Sequence, residues 1–235
     1  LRARSKQLSG IVNGIDYNVY NPKTDKDIAV NYSVEDVIKA KAANKTALQK
    51  ELGLEENPDA FMLGIVSRLT DQKGLDLVEC VLDQICAEDV QLVVLGTGEG
   101  KYQDMFTYYS RKYPERVSAN IFYSEALSHR IYASCDAFLM PSLFEPCGLS
   151  QLMSLRYGTL PIVRETGGLR DTVTPYNEVD GTGTGFSFTN YNAHEMLATI
   201  RYALSVFYQH KNDWDILIKH VALFKSALFK ILASM

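Results

Sequence analysis

Short apolar runs alternate with amphipathic stretches along the chain from residue 60 onward. The runs are FMLGIV (61–66), QLVVLG (91–96), VSANIFY (117–123), AFLM (137–140) and LPIV (160–163). A stretch with helical periodicity follows each run, at 74–86, 101–112, 125–135, 148–158 and after 163. Apolar strands that alternate with helices are typical of a parallel sheet covered on both faces. Because such crossovers are right-handed, the pattern predicts a Rossmann-like, doubly wound α/β domain.

The flanking segments are less regular. GIVNGID (10–16) predicts a leading strand and turn, and residues 34–54 predict a helix whose basic side chains and Gln49 lie on a solvated face. Residues 192–235 predict two or three further helices. No repeat or linker divides the sequence, so we expect one domain over residues 1–235.

Charge and composition argue against several classes of protein. The formal net charge of −4 argues against a nucleic-acid-binding surface, which needs clustered Lys and Arg. The sequence has no run of 18 apolar residues, and its first ten residues lack the apolar segment of a signal peptide, so we expect a cytoplasmic protein without a membrane segment. The four cysteines form no CxxC pair and the four histidines are scattered. We therefore expect reduced thiols, with Cys80, Cys86 and Cys135 buried, and no metal site.

Charged and glycine-containing segments follow the predicted strands, at the edge of the sheet where such folds bind ligands. Arg68 and Lys73 follow the first strand, and two cations there suit a diphosphate, although surface cations beside a helix are the alternative. Gly167 and Gly168 begin a predicted helix, where backbone amides favour an anion; a tight turn would use the same glycines. A second glycine-led helix start, CGLSQL, strengthens the prediction of a nucleotide diphosphate bound without a metal or other cofactor.

Two glycine-rich stretches do not fit known nucleotide motifs. LGTGEGK has Gly96 and Gly98 at the spacing of a dinucleotide fingerprint, but Lys101 replaces the third glycine. An oxidoreductase is therefore disfavoured. GTGTGF (181–186) lacks the Gly-Lys-Ser/Thr ending of a P-loop and is predicted to be a mobile loop.

Two further side chains have competing interpretations. Tyr123 ends a predicted strand and either stacks on a base or closes the core, which is the more common role. Glu145 precedes a predicted helix that begins near Gly148, so the helix dipole is one explanation of its charge. The other explanation is a carboxylate that accepts hydrogen bonds from a sugar or faces a developing cation.

The segments GIVNGID, GIVSRLTDQKGLDL, GTGFSF and above all residues 123–173 closely resemble the bacterial glycogen synthases and plant starch synthases of glycosyltransferase family 5. The resemblance runs from about Leu1 to Trp214. It implies one half of a two-domain glycosyltransferase B fold, with residues 1–235 as the C-terminal, nucleotide-sugar-binding domain and the N-terminal acceptor domain absent. It also implies retaining transfer of glucose from ADP-glucose to an α-1,4-glucan without a catalytic metal. An isolated chain would then bind ADP or ADP-glucose and transfer nothing.

The resemblance also implies roles for individual residues. Arg68 and Lys73 would bind the diphosphate, Tyr123 would stack on adenine, and Glu145 would hold the glucose and support an oxocarbenium-like transition state. The residues implied to border the sugar or to offer backbone contacts are Cys147, Gly148, Leu149, Thr166, Gly167 and Gly168.

The sequence departs from the wider pattern of related retaining glycosyltransferases at two places. Met153 stands eight residues after Glu145, where many of those enzymes carry a second Glu; the glycogen synthase branch lacks that Glu as well. HVALFKSALFKILASM (220–235) replaces the acidic-aromatic ending that is typical of the family and that precedes its last helix. The alternative to a transferase half is a non-catalytic nucleotide-sugar-binding or interaction module.

Overall fold

Six parallel strands form one sheet in the computed structural model, which describes residues 13–222. They are β1 (Phe61–Val66), β2 (Val90–Leu95), β3 (Val117–Asn120), β4 (Ala137–Met140), β5 (Leu160–Arg164) and β6 (Phe186–Phe188). The spatial order is β3-β2-β1-β4-β5-β6, and each neighbouring pair is parallel. The order reverses between β1 and β4, which is the switch point of a doubly wound sheet. The Rossmann-like fold predicted from the apolar runs is confirmed.

Helices cover both faces of this sheet. Their bounds are α1 (Val37–Leu52), α2 (Leu75–Ala87), α3 (Gly100–Lys112), α4 (Glu125–Ser134), α5 (Ser150–Arg156), α6 (Gly167–Thr172), α7 (Ala193–Gln209) and α8 (Lys211–Ala222), with a short 3-10 turn at Asp71–Lys73. Alternate residues of β1 pack into two separate apolar clusters, Phe61 and Leu63 into one and Met62 into the other. The strand is therefore buried on both sides, which explains its uninterrupted apolar sequence.

Several predicted boundaries differ from the structure. β3 ends at Asn120, so residues 121–123 lie in the loop that leads to α4. Residues 13–16 form no strand, and the rest of the predicted leading strand lies outside the described residues. The predicted loop at 181–186 runs into β6, because Phe186 is buried and pairs with Ile162. The predicted C-terminal helices include α7 and α8, and residues 223–235 lie outside the described part.

The helix predicted over 34–54 is present as α1, but the prediction of a solvated face was wrong for Gln49 and for two of the four lysines. Lys41, Lys45 and Gln49 lie one helical turn apart and are all buried. The Lys45 Nζ forms an ion pair with Asp136 at 2.6 Å, and the Gln49 amide donates to Gln91 Oε1 at 2.7 Å. This polar stripe is buried because distant segments of the chain accept hydrogen bonds from the nitrogen atoms of all three side chains.

Lys41 has no carboxylate partner within hydrogen-bond distance among the residues that the structure describes. Its Nζ donates instead to four buried oxygens, which belong to Tyr132, Ala133, Tyr157 and Thr159. Desolvation by burial lowers the pKa of Lys41 to about 7.

A pH dependence of stability follows from this lowered pKa. The unfolded chain keeps Lys41 protonated up to about pH 10, whereas the folded chain releases the proton above about pH 7. Below pH 7 the folded protein therefore carries a buried charge on Lys41, which lowers the free energy of unfolding by its full amount. This destabilisation decreases as the pH rises from 7 toward 10. We expect the free energy of unfolding of the wild type, relative to Lys41→Met, to rise by at most about 1.4 kcal/mol per pH unit in this window. Urea denaturation of the wild type and Lys41→Met between pH 6 and pH 9 measures this difference in the free energy of unfolding. Lys39→Met, a change at an exposed position of the same helix, serves as the control. A difference that does not change with pH would contradict the lowered pKa of Lys41.

All four cysteines are free, as predicted, but Cys80 lies on the exposed face of α2 rather than in the core. Its position follows from the helix period, because Leu77, Val78 and Val81 face the sheet and leave Cys80 outside. Among the helices of residues 13–222, none combines the length and apolar character needed to cross a bilayer.

Candidate functional site

A cleft of about 280 Å³ opens at the carboxyl ends of β1 and β2. Ser67 and Arg68 line one side, Gly96 and Thr97 the second, and the loop before α4 the third. That loop carries Tyr123, whose side chain is 85% exposed, so the core interpretation of this tyrosine was wrong. An exposed ring at the mouth of a cleft is free to stack on a planar ligand. Its neighbour Phe122, which the sequence did not single out, also lines the cleft.

A second cleft of about 200 Å³ lies beside the first, at the switch point between β1 and β4. The two clefts share three residues of the β1 end, Val66, Ser67 and Arg68, and the second adds Lys73 and Ser142. Arg68 therefore stands between them. Its side chain is exposed, and no hydrogen bond or ion pair engages it within residues 13–222. A guanidinium in this state can grip two anionic oxygens at once.

Glu145 forms an ion pair with Lys73, which lines the second cleft. The Lys73 Nζ lies 2.5 Å from Glu145 Oε2, and Ser142 Oγ is 3.4 Å from the same oxygen. Both charged side chains are largely shielded from solvent, with 19% of Lys73 and 11% of Glu145 exposed. An ion pair in such a position is weakly screened, so each partner holds the other in a defined orientation.

The loop that carries Glu145 is packed tightly against the start of α6. The Gly168 N–H donates to the Glu145 carbonyl at 3.0 Å. A Cβ on Gly167 would lie 2.1 Å from that carbonyl oxygen, and a Cβ on Gly168 would lie 2.1 Å from the Cys147 oxygen. Glycine is needed here so that two backbones can approach each other. The Gly168 N–H is committed to this contact and is therefore not available for the ligand contact that the resemblance implies.

The helix-dipole explanation of Glu145 is wrong in this structure. Helix α5 begins at Ser150, with Leu149 as its N-cap residue, so Glu145 lies before the first turn. Gly148 has a φ of +70°, a left-handed conformation that turns the chain into the helix. Leu149 is 40% exposed, and Cys147 Sγ accepts a hydrogen bond from the Asn13 N–H at 3.3 Å.

The glycines of LGTGEGK have a structural role. A Cβ on Gly96 would lie 1.9 Å from the Ser67 oxygen, and one on Gly98 would lie 2.2 Å from the Leu69 oxygen. The two glycines thus let the loop after β2 run beside the loop after β1, where Leu69 N donates to Thr97 O at 2.8 Å. This close packing explains the motif without a dinucleotide, in agreement with the spacing argument against an oxidoreductase.

One group of potential metal ligands occurs in the described part of the chain. Atoms of Asp25, Asp27 and His129 lie within 4.8 Å of one another. The Asp25 carboxylate is already bonded to His129 Nδ1 at 2.6 Å, to the Asp27 N–H at 2.9 Å and to the Tyr157 hydroxyl. These bonds account for the buried carboxylate as part of a hydrogen-bond cluster. The absence of a metal in the protein stays a prediction.

Comparison with known proteins gives a consistent result. The family model described as "Glycosyl transferases group 1" matches residues 45–215. A glycogen synthase of Lachnospira eligens is 70% identical over 215 residues, which cover 92% of this chain and 45% of that protein. A glycogen synthase of Lachnoclostridium phytofermentans is 64% identical over 218 residues, or 93% of this chain and 46% of that protein. The chain therefore spans about half the length of the curated relatives it matches.

Solved structures show the same fold. The catalytic domain of starch synthase IV from Arabidopsis thaliana, bound to ADP and acarbose, superposes with a TM-score of 0.90 and 31% identity over 99% of this chain and 48% of that one. Anabaena HepE in complex with UDP-glucose gives a TM-score of 0.66 at 19% identity, over 97% of this chain and 58% of that one, which supports the fold alone.

Proposed function

Since the chain belongs to the glycosyl transferases group 1 family, we propose that it is the C-terminal, donor-binding half of a glycogen synthase that uses ADP-glucose. Two similarities support the proposal. The chain is 70% identical to the Lachnospira eligens glycogen synthase over 92% of its length. It is also 31% identical to a starch synthase that was solved with ADP and acarbose. The acceptor, an α-1,4-glucan, would bind mainly to the half of such an enzyme that lies outside the region matched by this chain.

The observation that carries the proposal is the Lys73–Glu145 pair beside the unengaged Arg68 at the switch point of the sheet. Arg68 and Lys73 would bind the diphosphate through charge-assisted hydrogen bonds. The Glu145 carboxylate beside Lys73 would contact the sugar that is attached to the diphosphate. Tyr123, exposed at the mouth of the first cleft, would stack on the adenine. Cys147, Gly148 and Leu149 would border the glucose. Thr166 and Gly167 would offer backbone contacts.

The proposed reaction retains the anomeric configuration by attack on the front face of the glucose. The bond between glucose C1 and the phosphate oxygen breaks, and the acceptor hydroxyl oxygen forms a bond to C1 on the same face. The hydroxyl proton passes to the departing phosphate oxygen. Glu145 faces the positive charge that develops on the sugar, while Arg68 and Lys73 stabilise the negative charge on the leaving ADP. This scheme needs no metal or other cofactor.

The proposed location is the cytoplasm, which suits the free thiols of all four cysteines. Nucleotide binding is the part of the proposal that the chain can be tested for directly. We expect calorimetry to show ADP binding by the chain in preference to UDP and NAD. Preference for NAD, or no ADP binding, would contradict the proposal.

Arg68→Gln is expected to weaken ADP binding by about 10- to 100-fold, because charge-assisted hydrogen bonds to phosphate are worth about 1.5–3 kcal/mol. Calorimetry with the purified chain measures this loss. Arg170→Gln is the matched control, since Arg170 is an exposed arginine of α6. Equal affinities of the Arg68 variant and the wild type would remove Arg68 from the site.

A chimera separates the enzyme from a module that only binds nucleotide sugars. The chain would replace the matching half of the Lachnospira eligens glycogen synthase, to which it is 70% identical. Transfer of glucose from ADP-glucose to glycogen by this chimera supports the proposal. A folded chimera that binds ADP but transfers nothing supports the non-catalytic alternative.

A further inference from the structure

Arg164 ends β5 and projects across the loop that carries Glu145. Its Nε donates to the Ser142 carbonyl at 3.0 Å, and its Nη2 donates to the Leu143 carbonyl at 2.5 Å. Its Nη1 reaches the Thr189 carbonyl at 3.4 Å. The guanidinium thus ties the start of the loop to the segment that follows β6.

The guanidinium itself is held on its other side. Its carbon lies 5.5 Å from the centroid of the Tyr191 ring, and the Tyr191 hydroxyl bonds to Asp76 of α2. The structure shows no ion pair between Arg164 and a carboxylate in residues 13–222. All three guanidinium nitrogens of Arg164 therefore donate to backbone carbonyls. This pattern needs the planar, rigid arrangement of donors in a guanidinium (the arginine fork), which the single ammonium group of lysine cannot reproduce.

Further contacts hold this loop, among them a bond from the Gln72 side-chain amide to the Phe144 carbonyl at 3.4 Å. The Leu143 N–H donates to the Gln72 carbonyl at 3.0 Å, beside Lys73, and Gly168 N–H holds the Glu145 carbonyl at 3.0 Å. Arg164 holds the carbonyl of Leu143, whose N–H makes the contact with the Gln72 carbonyl and which lies two positions before Glu145. Without Arg164, the carbonyls of Ser142 and Leu143 would lose their charged hydrogen-bond donor, and fewer hydrogen bonds would hold the loop in place.

We propose that Arg164 is a positioning residue: it sets the backbone of loop 142–145 so that the Glu145 carboxylate meets Lys73 and the bound sugar. This inference deepens the proposed function and rests on it. A displacement of about 1 Å at a reacting group can lower turnover by about 100-fold, which is the scale expected when the fork is lost.

The test compares Arg164→Gln, Arg164→Lys and the control Arg170→Gln. In the chimera, both Arg164 variants should lower kcat by about 10- to 100-fold while KM for ADP-glucose changes less than about threefold. In the chain alone, Arg164→Gln should speed amide hydrogen exchange of peptide 141–149 by about tenfold, since hydrogen bonds to a charged donor are lost. ADP affinity, measured by calorimetry, should stay within about threefold of wild type.

Other outcomes would overturn the proposal. Rescue of kcat by Arg164→Lys would show that charge, not the fork, is what matters. A loss of ADP affinity equal to the loss of kcat would place Arg164 on the ligand instead. Unchanged hydrogen exchange at 141–149 would remove the positioning role even if the wild-type chimera proved inactive. An inactive chimera with faster exchange in Arg164→Gln would refute the proposed function and leave the control of the loop by Arg164 in place.

Discussion

Glu145→Gln is expected to lower glucose transfer by the chimera by about 100- to 1,000-fold, the range typical for removal of one group that stabilises charge in a transition state. ADP affinity should be kept or rise. The carboxylate pairs with Lys73 at 2.5 Å, and its charge opposes the approach of a diphosphate. The neutral amide of Glu145→Gln leaves Lys73 free to bind phosphate. ADP affinity is therefore maintained although the rate of glucose transfer falls.

Steady-state kinetics on glycogen, with calorimetry of ADP, separates these effects. Glu165→Gln provides the control, because Glu165 lies at the same edge of the sheet but its carboxylate accepts from the Ser187 hydroxyl at 2.7 Å. If Glu145→Gln kept full turnover, the catalytic role would be refuted. If it abolished ADP binding, Glu145 would act on the nucleotide rather than on the glucose.

Lys45→Met is expected to lower the free energy of unfolding by about 3–5 kcal/mol, because it leaves the buried Asp136 carboxylate without a cation. The side chains of Lys45 and Asp136 are only 4% and 8% exposed, and their ion pair is 2.6 Å long. Lys45 also donates to the carbonyls of Pro58 and Ala60 at 3.1 and 2.9 Å. Asp136 keeps one bond without its partner, from the Met62 N–H at 2.8 Å.

Urea denaturation followed by circular dichroism measures this loss. Lys39→Met, an exposed change on the same helix, should stay within about 0.5 kcal/mol of wild type. The double variant Lys45→Met/Asp136→Asn should lose less than the sum of the two single variants, since both remove the same interaction. A loss below about 1 kcal/mol for Lys45→Met would show that the carboxylate finds another partner or water.

The sequence predicted the sheet well because apolar periodicity is a local property. Each predicted run after residue 60 became a strand, and every helix after a strand was found near its expected position. α1 was correct as a helix but wrong in its exposure, since the partners of Lys45 and Gln49 are Asp136 and Gln91, more than 40 residues away. A polar stripe at helical spacing resembles a solvated face until those partners are known. β6, with three residues, was too short to register as an apolar run.

The candidate site was predicted as a set of residues but not as an arrangement. Strand ends and the resemblance brought Arg68, Lys73 and Glu145 to one edge of the sheet. That Glu145 pairs with Lys73 across 72 positions could not be read from either segment, because loop conformation decides it. The role of Arg164 was hidden for a related reason, since its partners are backbone carbonyls, which leave no trace in side-chain patterns.

The outermost strands of the sheet have a practical consequence for handling the protein. β3 and β6 have only four and three residues, so each edge exposes few unpaired backbone groups. Long, exposed edges are the usual templates for strand addition between molecules, and short ones discourage it. Copies of the chain are therefore not expected to polymerise edge to edge.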